Sequence, residues 1–277
     1  MRLGFAHNPT NSDAQAALAR AAAWCREHQV EFWESPAEDA GRIATSCPGS
    51  DVVCVLGGDG TFLRSAQAIG DGAVPALGIN LGRVGFLAKV ETDDLERALG
   101  QVLDGDYTVE DRLRIAASVV RRDGTSETYP CLNEVVMARG RRVRMIQVTV
   151  EVSGSHLATY VADAVVVATP TGSTAYSFSA GGAILDPRLR NMIITPVAAY
   201  LSSLHSVVAG EEHAVTLQLR HAPSEAIVSF DGQRDLPLGE GDRVEVRALP
   251  DSFRMLEPAG ATPFYDLLRT KASRLPY

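Results

Sequence analysis

The chain has 277 residues, 45% of them hydrophobic and 22% charged, with a formal net charge of −8. That is ample material for one large domain or two ordinary ones, and the acidic balance argues against a nonspecific nucleic-acid binder, which presents a basic surface. No window holds about 18 uninterrupted apolar residues, and Cys25, Cys47, Cys54 and Cys131 show neither a C-x-x-C spacing nor a histidine at metal-ligand distance. Met1 to His7 begins directly as a strand, without an apolar leader. The expectation is a cytoplasmic protein with buried, reduced thiols, no nucleic acid and no membrane partner.

In chain order, Arg2 to His7 reads as a short apolar strand that ends at the loop formers Asn8 to Asp13. Alanine-rich helical spacing follows from Ala14 to His28, then a strand from Val30 to Trp33 and a brief helix from Asp39 to Thr45. A third strand, Asp51 to Leu56, stops abruptly at Gly57-Gly58-Asp59-Gly60-Thr61, and Phe62 to Ile69 is helix-compatible. Pro75 to Asn80 is a fourth strand, Leu81 to Leu87 a second glycine-punctuated turn, and Asp93 to Leu103 a helix with Thr92 as its cap. Strands alternating with helices imply a parallel sheet covered on both faces, a Rossmann-like α/β domain.

From Tyr107 the pattern changes. Arg114–Val120, Asn133–Met137, Ile146–Val152, His156–Tyr160, Ala214–Arg220, Ala226–Phe230 and Arg243–Leu249 are short, rich in β-branched residues and separated by turns. They predict a mostly antiparallel β domain. Tyr265 to Lys271 is helical again and is expected to pack back on the first domain. The expected division is 1–105, with about 257–277 returning to it, and 106–256. Residues 183–206 are the least legible stretch.

Four features carry chemistry. At the carboxyl end of a parallel strand, glycines let backbone N–H groups approach phosphate closely; Asp59 in such a turn repels phosphate, so it must orient or deprotonate a hydroxyl or hold a metal. Ala168 to Gly182 follows the β run Ala164–Val167 and sets six hydroxyl residues other than tyrosine among three glycines, a supply of uncharged donors and acceptors for a polyhydroxylated ligand. Tyr176 is suited to stacking on a planar ring, and Asp163, expected within an otherwise apolar strand, is costly to bury unless something bonds it. Asn133-Glu134 lies inside an apolar β context, where neighbours on a regular strand face opposite ways. The basic run Arg139-Gly140-Arg141-Arg142-Val143-Arg144 reads equally well as a solvated hairpin turn or as an attractor of pyrophosphate, and Arg64 and Arg83 flank the two glycine turns.

On these residues the chain resembles the NAD kinase family, which phosphorylates the 2′-hydroxyl of the adenosine ribose of NAD to make NADP. The matching motifs are Gly57-Gly58-Asp59-Gly60-Thr61, Gly78-Ile79-Asn80 with Gly85-Phe86-Leu87, Asn133-Glu134, and Thr169-Pro170-Thr171-Gly172-Ser173-Thr174-Ala175-Tyr176 continuing to Ser179-Ala180-Gly181-Gly182. The resemblance implies that Asp59 accepts the proton of the 2′-hydroxyl, with Gly57, Gly58, Gly60, Thr61, Arg64 and Phe86 beside the ligand. It implies that Asn133 and Glu134 contact the nicotinamide ribose or the metal–phosphate region, that Asp163 binds the nicotinamide end, and that Thr174, Ala175, Tyr176 and Ser179 hold the adenine and riboses. Arg144, Ala198 and Gln233 fall at positions resembling further ligand contacts. Implied with them are ATP, or sometimes polyphosphate, as donor, Mg2+ or another divalent metal carried by ATP, and a homodimer or homotetramer. Two alternatives stay open: a family relative acting on another small polyol or nucleoside hydroxyl, and a non-catalytic dinucleotide sensor.

Overall fold

Short buried apolar runs such as Val52–Leu56 and Ala76–Asn80 set out the inner strands of the computed structural model, which describes all residues except 71, 83, 84, 143 and 273–277. In order these elements are β1 (Arg2–His7), α1 (Ser12–Glu27), β2 (Glu31–Pro36), α2 (Ala40–Ser46), β3 (Val52–Leu56), α3 (Asp59–Ile69), β4 (Ala76–Asn80), β5 (Val90–Glu91) and α4 (Leu95–Asp104). There follow β6 (Tyr107–Val120), β7 (Ser126–Cys131), β8 (Glu134–Arg139), β9 (Ile146–Val152), β10 (Ser155–Ala162), β11 (Ala164–Ala168), α5 (Tyr176–Ser179) and β12 (Asn191–Val197). The chain ends through β13 (Val207–Gly210), β14 (Val215–His221), β15 (Ala226–Phe230), β16 (Arg234–Leu238), β17 (Arg243–Pro258) and α6 (Phe264–Ala272). Two units result, Met1–Asp111 with Phe253–Tyr277, and Arg112–Ser252.

In the first unit β2, β1, β3 and β4 lie side by side in parallel, with Leu3 opposite Val52 and Leu56 opposite Ile79. The end of β17 adds a further parallel neighbour, Met255 beside Ala76. Both faces of β3 and β4 are buried throughout, the mark of a parallel sheet with helices on its faces. Leu3, Phe5, Cys54, Leu56 and Ile79 pack on one side against Ala17, Ala21 and Trp24 of α1 and Leu95, Leu99 and Val102 of α4. Helix α1 starts where Asn11 accepts hydrogen bonds from the Asp13 and Ala14 amides at 2.8 and 3.1 Å, an N-cap.

Several boundaries differ from the expectation, and the starts of α3 and α4 show the physical reason. Helix α3 begins at Asp59, not Phe62, because Gly58 already has the extended backbone of an N-cap and an acidic residue is favourable at a helix's positive end. Thr92 does not cap α4; its hydroxyl donates to the Asn80 carbonyl at 2.7 Å and a short 3-10 turn, Thr92–Asp94, leads into the helix.

The second unit is antiparallel, as the short β-branched runs imply. One sheet runs β13-β12-β11-β8-β15-β16, and β10, β9, β14 and the start of β17 form another ribbon, with β6 paired to β7. Val148, Val150, Leu217 and Val246 from the one, and Val165, Val167, Ile194 and Phe230 from the other, share a single core. The opposite face of β11 and β12 is covered by Leu185 from the poorly patterned stretch. Strands β7, β12, β13 and β16 had no counterpart in the expectation. All four cysteines are free and buried, and burial pushes the Cys25 thiol up to about 11, that of Cys54 higher still and that of Cys131 well above its ordinary value. Among the described residues no helix is long and apolar enough to cross a membrane.

Candidate active site

In the first unit the site starts where β3 ends. Leu56 delivers Gly57 and Gly58 at the carboxyl edge of the sheet, and Asp59 opens α3. Its carboxylate accepts three backbone hydrogen bonds from the second glycine turn: Phe86 N at 2.9 Å, Leu87 N at 3.1 Å and Ala88 N at 3.2 Å. A carboxylate offers about four lone-pair sites, so the clamp fixes Asp59 and still leaves it able to accept from a hydroxyl. Gly85 is required by the same contact, since a Cβ there would fall on the Asp59 carboxylate. The two glycine motifs of this unit are therefore halves of one structure.

Gly57 is needed internally as well, because a Cβ would come within 2.6 Å of the Thr61 side chain. Gly58 and Gly60 are not: a Cβ at either would meet nothing within 4 Å. Thr61 is buried and Arg64, on the next turn of α3, half-buried. Phe86 lies 4.4 Å below the Lys271 ammonium and 6.0 Å from the Phe264 ring, so α6 covers the turn that holds Asp59. Arg83 lies outside the described residues.

In the second unit Asn133 sits in a bend just before β8 and Glu134 is its first residue. The expected opposition of their side chains holds only for a regular strand; here both are 8% exposed, and Asn133 Oδ1 and Glu134 Oε2 are buried without a hydrogen-bond partner. Burial first, and then the charge of Asp231, push the Glu134 carboxyl up to about 8. The hydroxyl-rich segment packs directly on this pair: Thr169 N donates to the Asn133 carbonyl at 2.8 Å and Thr169 Oγ1 to the Leu132 carbonyl at 2.6 Å. A Cβ on Gly172 would collide with the Asn133 backbone.

The hydroxyls of that segment divide by task. Ser173 donates to the Pro170 carbonyl at 2.6 Å and accepts from Leu185 N at 2.9 Å, and Ser177 bonds Thr195 at 3.0 Å, so these buried groups staple the turn. Thr171 Oγ1 is buried and unpartnered. Thr174 and Ala175 are half-buried, and Tyr176 and Ser179 exposed on the short helix α5. Ala198, at a positive φ of 50°, is exposed, and Gln233 half-buried.

Asp163 is not inside a strand. It occupies the bend between β10 and β11, one-third exposed, and its partner is Arg139, whose Nε is 2.6 Å from Asp163 Oδ1. That ion pair settles how an acid tolerates its apolar neighbours, and it takes the first arginine of the basic run. Arg141, Arg142 and Arg144 are exposed and Val143 lies outside the described residues. One residue escaped the sequence reading: Asp231, 4% exposed, accepts from the amides of Leu132, Asn133 and Glu134. In sequence it is half of an Asp-Gly pair after an apolar run, which reads as an ordinary turn.

A glycine–carboxylate turn at the carboxyl edge of a parallel sheet, in a chain whose antiparallel unit holds unpaired buried acceptors under a hydroxyl-rich turn, defines a class of phosphoryl-transferring enzymes acting on hydroxyl acceptors. Comparison with known proteins narrows the class. The ATP-NAD kinase N-terminal domain model matches residues 5–107 and the ATP-NAD kinase C-terminal domain model residues 132–257. An NAD kinase of Symbiobacterium thermophilum is 42% identical over 223 residues, 80% of this chain and 78% of that protein. The solved structure of an NAD kinase from Archaeoglobus fulgidus in complex with ATP superposes at a TM-score of 0.81 with 25% identity, covering 100% of both chains. The yeast NADH kinase complexed with NADH has the same fold, with a TM-score of 0.85, 20% identity, and coverage of 99% of this chain and 87% of that one. The chain belongs to the NAD kinase family.

Proposed function

We infer that this protein transfers the terminal phosphoryl group of ATP to the 2′-hydroxyl of the adenosine ribose of NAD, giving NADP and ADP. The observation that carries the reading is the Asp59 carboxylate, fixed by three amides and flanked by Gly58 and Gly60, two glycines that no protein atom requires. Open space beside bare backbone suits phosphate, and the carboxylate then has a proton to take.

A ribose hydroxyl is a weak nucleophile; a carboxylate within hydrogen-bond reach orients it and accepts its proton as the new O–P bond forms. The bond from the γ-phosphorus to the bridging oxygen breaks, and its electron pair leaves with ADP. Most remaining catalysis is alignment and charge stabilisation. For this, Gly57, Gly58, Gly60, Thr61, Arg64 and Phe86 line the ligand in the first unit. In the second, Asn133 and Glu134 offer unpartnered oxygens to the nicotinamide ribose, and Asp163 and Arg144 bind towards the nicotinamide and pyrophosphate. Thr174, Ala175, Tyr176 and Ser179 hold adenine and ribose, with Ala198 and Gln233 as further contacts. In the same reading, residues 1–105 with about 257–277 form the phosphate-turn domain and 106–256 the NAD-binding domain, in a cytoplasmic homodimer or homotetramer.

The groups around the glycine turn and the Asn133–Glu134 pair are oxygen donors, which suits a hard divalent cation such as Mg2+. The metal is expected to arrive on the triphosphate, where it would neutralise charge on the transferring group; no side chain is assigned to it.

The test is incubation with magnesium, ATP and NAD, followed by assay of NADP with a strictly NADP-dependent dehydrogenase. NADP formation is expected. ATP consumption only with another hydroxyl acceptor would move the assignment to a polyol or nucleoside kinase, and NAD binding without turnover to a sensor.

A further inference from the structure

The backbone of Leu132, Asn133 and Glu134 is fully accounted for by two other residues. Its three N–H groups all donate to the Asp231 carboxylate, Leu132 N to Oδ2 at 2.8 Å, and Asn133 N and Glu134 N to Oδ1 at 2.8 and 2.9 Å. Its three carbonyls accept from Thr169 Oγ1, Thr169 N and Asp231 N at 2.6, 2.8 and 2.9 Å. Buried amides and carbonyls must find partners. Here that need is met without drawing on the Asn133 Oδ1 or Glu134 Oε2 oxygens, which stay buried and unpartnered.

The register explains how Asp231 comes to be there. β15 runs antiparallel to β8 with Phe230 opposite Val135, so the next residue arrives beside Glu134. Asp231 takes a positive φ of 50°, a backbone that non-glycine residues seldom adopt, and its carboxylate meets the three amides. Strain of this kind persists where the surroundings over-determine it.

We propose that Asp231 is a positioning residue: its carboxylate and Thr169 clamp the Leu132–Glu134 backbone from two sides, so that the side chains of Asn133 and Glu134 are aimed at the NAD acceptor. This rests on the functional reading above, in which that pair touches NAD. Asp231 acts through the pair and does not itself meet the reacting atoms.

The test uses the full chain with Asp231→Asn, Asn133→Ala and the double variant. In Asp231→Asn one carboxylate oxygen becomes an N–H2 that faces an amide N–H, with side-chain volume kept. NAD affinity by calorimetry is expected to fall at least about tenfold, a loss typical of slight misplacement of a binding group, while the KM for ATP stays within about threefold. The double variant is expected to lose less than the sum of the two single losses, because Asp231 acts in part through Asn133 and in part through Glu134. Unchanged NAD affinity in folded Asp231→Asn, or additive losses in the double variant, would overturn the proposal. If Asp231→Asn does not fold, Asp231→Glu decides, since it keeps the charge but moves the tripeptide by a methylene; undiminished NAD affinity there overturns it equally. Should the unsubstituted protein neither bind NAD nor form NADP, the functional reading fails on its own. Amide exchange then judges the clamp: Asp231→Asn or Asp231→Glu must accelerate it at residues 132–134 and not at 165–167, and equal rates would sink it.

Discussion

In the proposed reaction Asp59 is a reacting group as well as the anchor of the Phe86–Ala88 turn. Replacing it by Asn keeps the shape and one acceptor oxygen but removes the proton acceptor; NAD binding is expected to survive in calorimetry while kcat falls at least about a hundredfold. Near-normal turnover would refute its role as base. Glu134 supplies a different residue-scale prediction. Burial first, and then the Asp231 charge, push its carboxyl up to about 8 from an ordinary value of 4.5, so between these pH values the folded protein is expected to hold a proton that the unfolded chain has released. Stability therefore falls as pH rises through that window and levels off above about pH 8. Glu134→Gln, which imitates the protonated form, should flatten this decline in melting temperature measured from pH 5 to 9; an unchanged slope would assign the proton elsewhere. That these residues are candidates was legible in the sequence, because the motifs carry unusual side chains beside glycines or in apolar settings. Their partners were not. Nothing in the spacing tells that Asp59 reaches residues 27 to 29 positions on, or Asp231 residues 97 to 99 positions back.

Strand and helix interiors followed their periodicity closely: β1, β9 and β15 have the expected bounds. Elements escaped where another demand overrides the pattern. β7 is mostly exposed and carries Pro130, β16 is mostly exposed and carries Pro237, and β12 contains Pro196 within a buried run; proline removes a ladder donor and demotes a strand on sequence grounds. The start of α3 was hidden by glycines that read as loop but serve as a cap. Asp163 was placed in a strand because its neighbours are apolar on both sides, whereas the chain bends there and Arg139 supplies the counter-charge. A further prediction belongs to this scale. Gly172→Ala puts a methyl group into the Asn133 backbone, and overpacking of this kind costs about 1–3 kcal/mol. A chemical denaturation curve should show that loss together with weaker NAD binding; a wild-type midpoint would mean that the segment moves aside freely.

Across the whole molecule, sequence separation is a poor guide to dependence. Lys89 and Glu257, 168 positions apart, form an ion pair at 2.5 Å with side chains 7% and 13% exposed. Through it the returning end of the chain is fastened next to the turn that grips Asp59. Lys89→Ala takes a counter-charge away from a mostly buried carboxylate and is expected to destabilise the fold by about 3–5 kcal/mol, and Lys89→Met with Glu257→Met by much less. Equal losses in urea denaturation would show that packing, not charge, sets the loss. The hydroxyl-rich segment raises a related matter of transplantation. Because Thr169 and Gly172 lie on the Asn133 backbone and Asp231 holds that backbone from its other side, the three stretches form one cassette that happens to be written in three places. Residues 169–182 moved alone leave both partners of these contacts behind, whereas 132–134 and 230–233 moved with them keep the set complete. The unit that must travel together is thus a set of contacts rather than a length of chain.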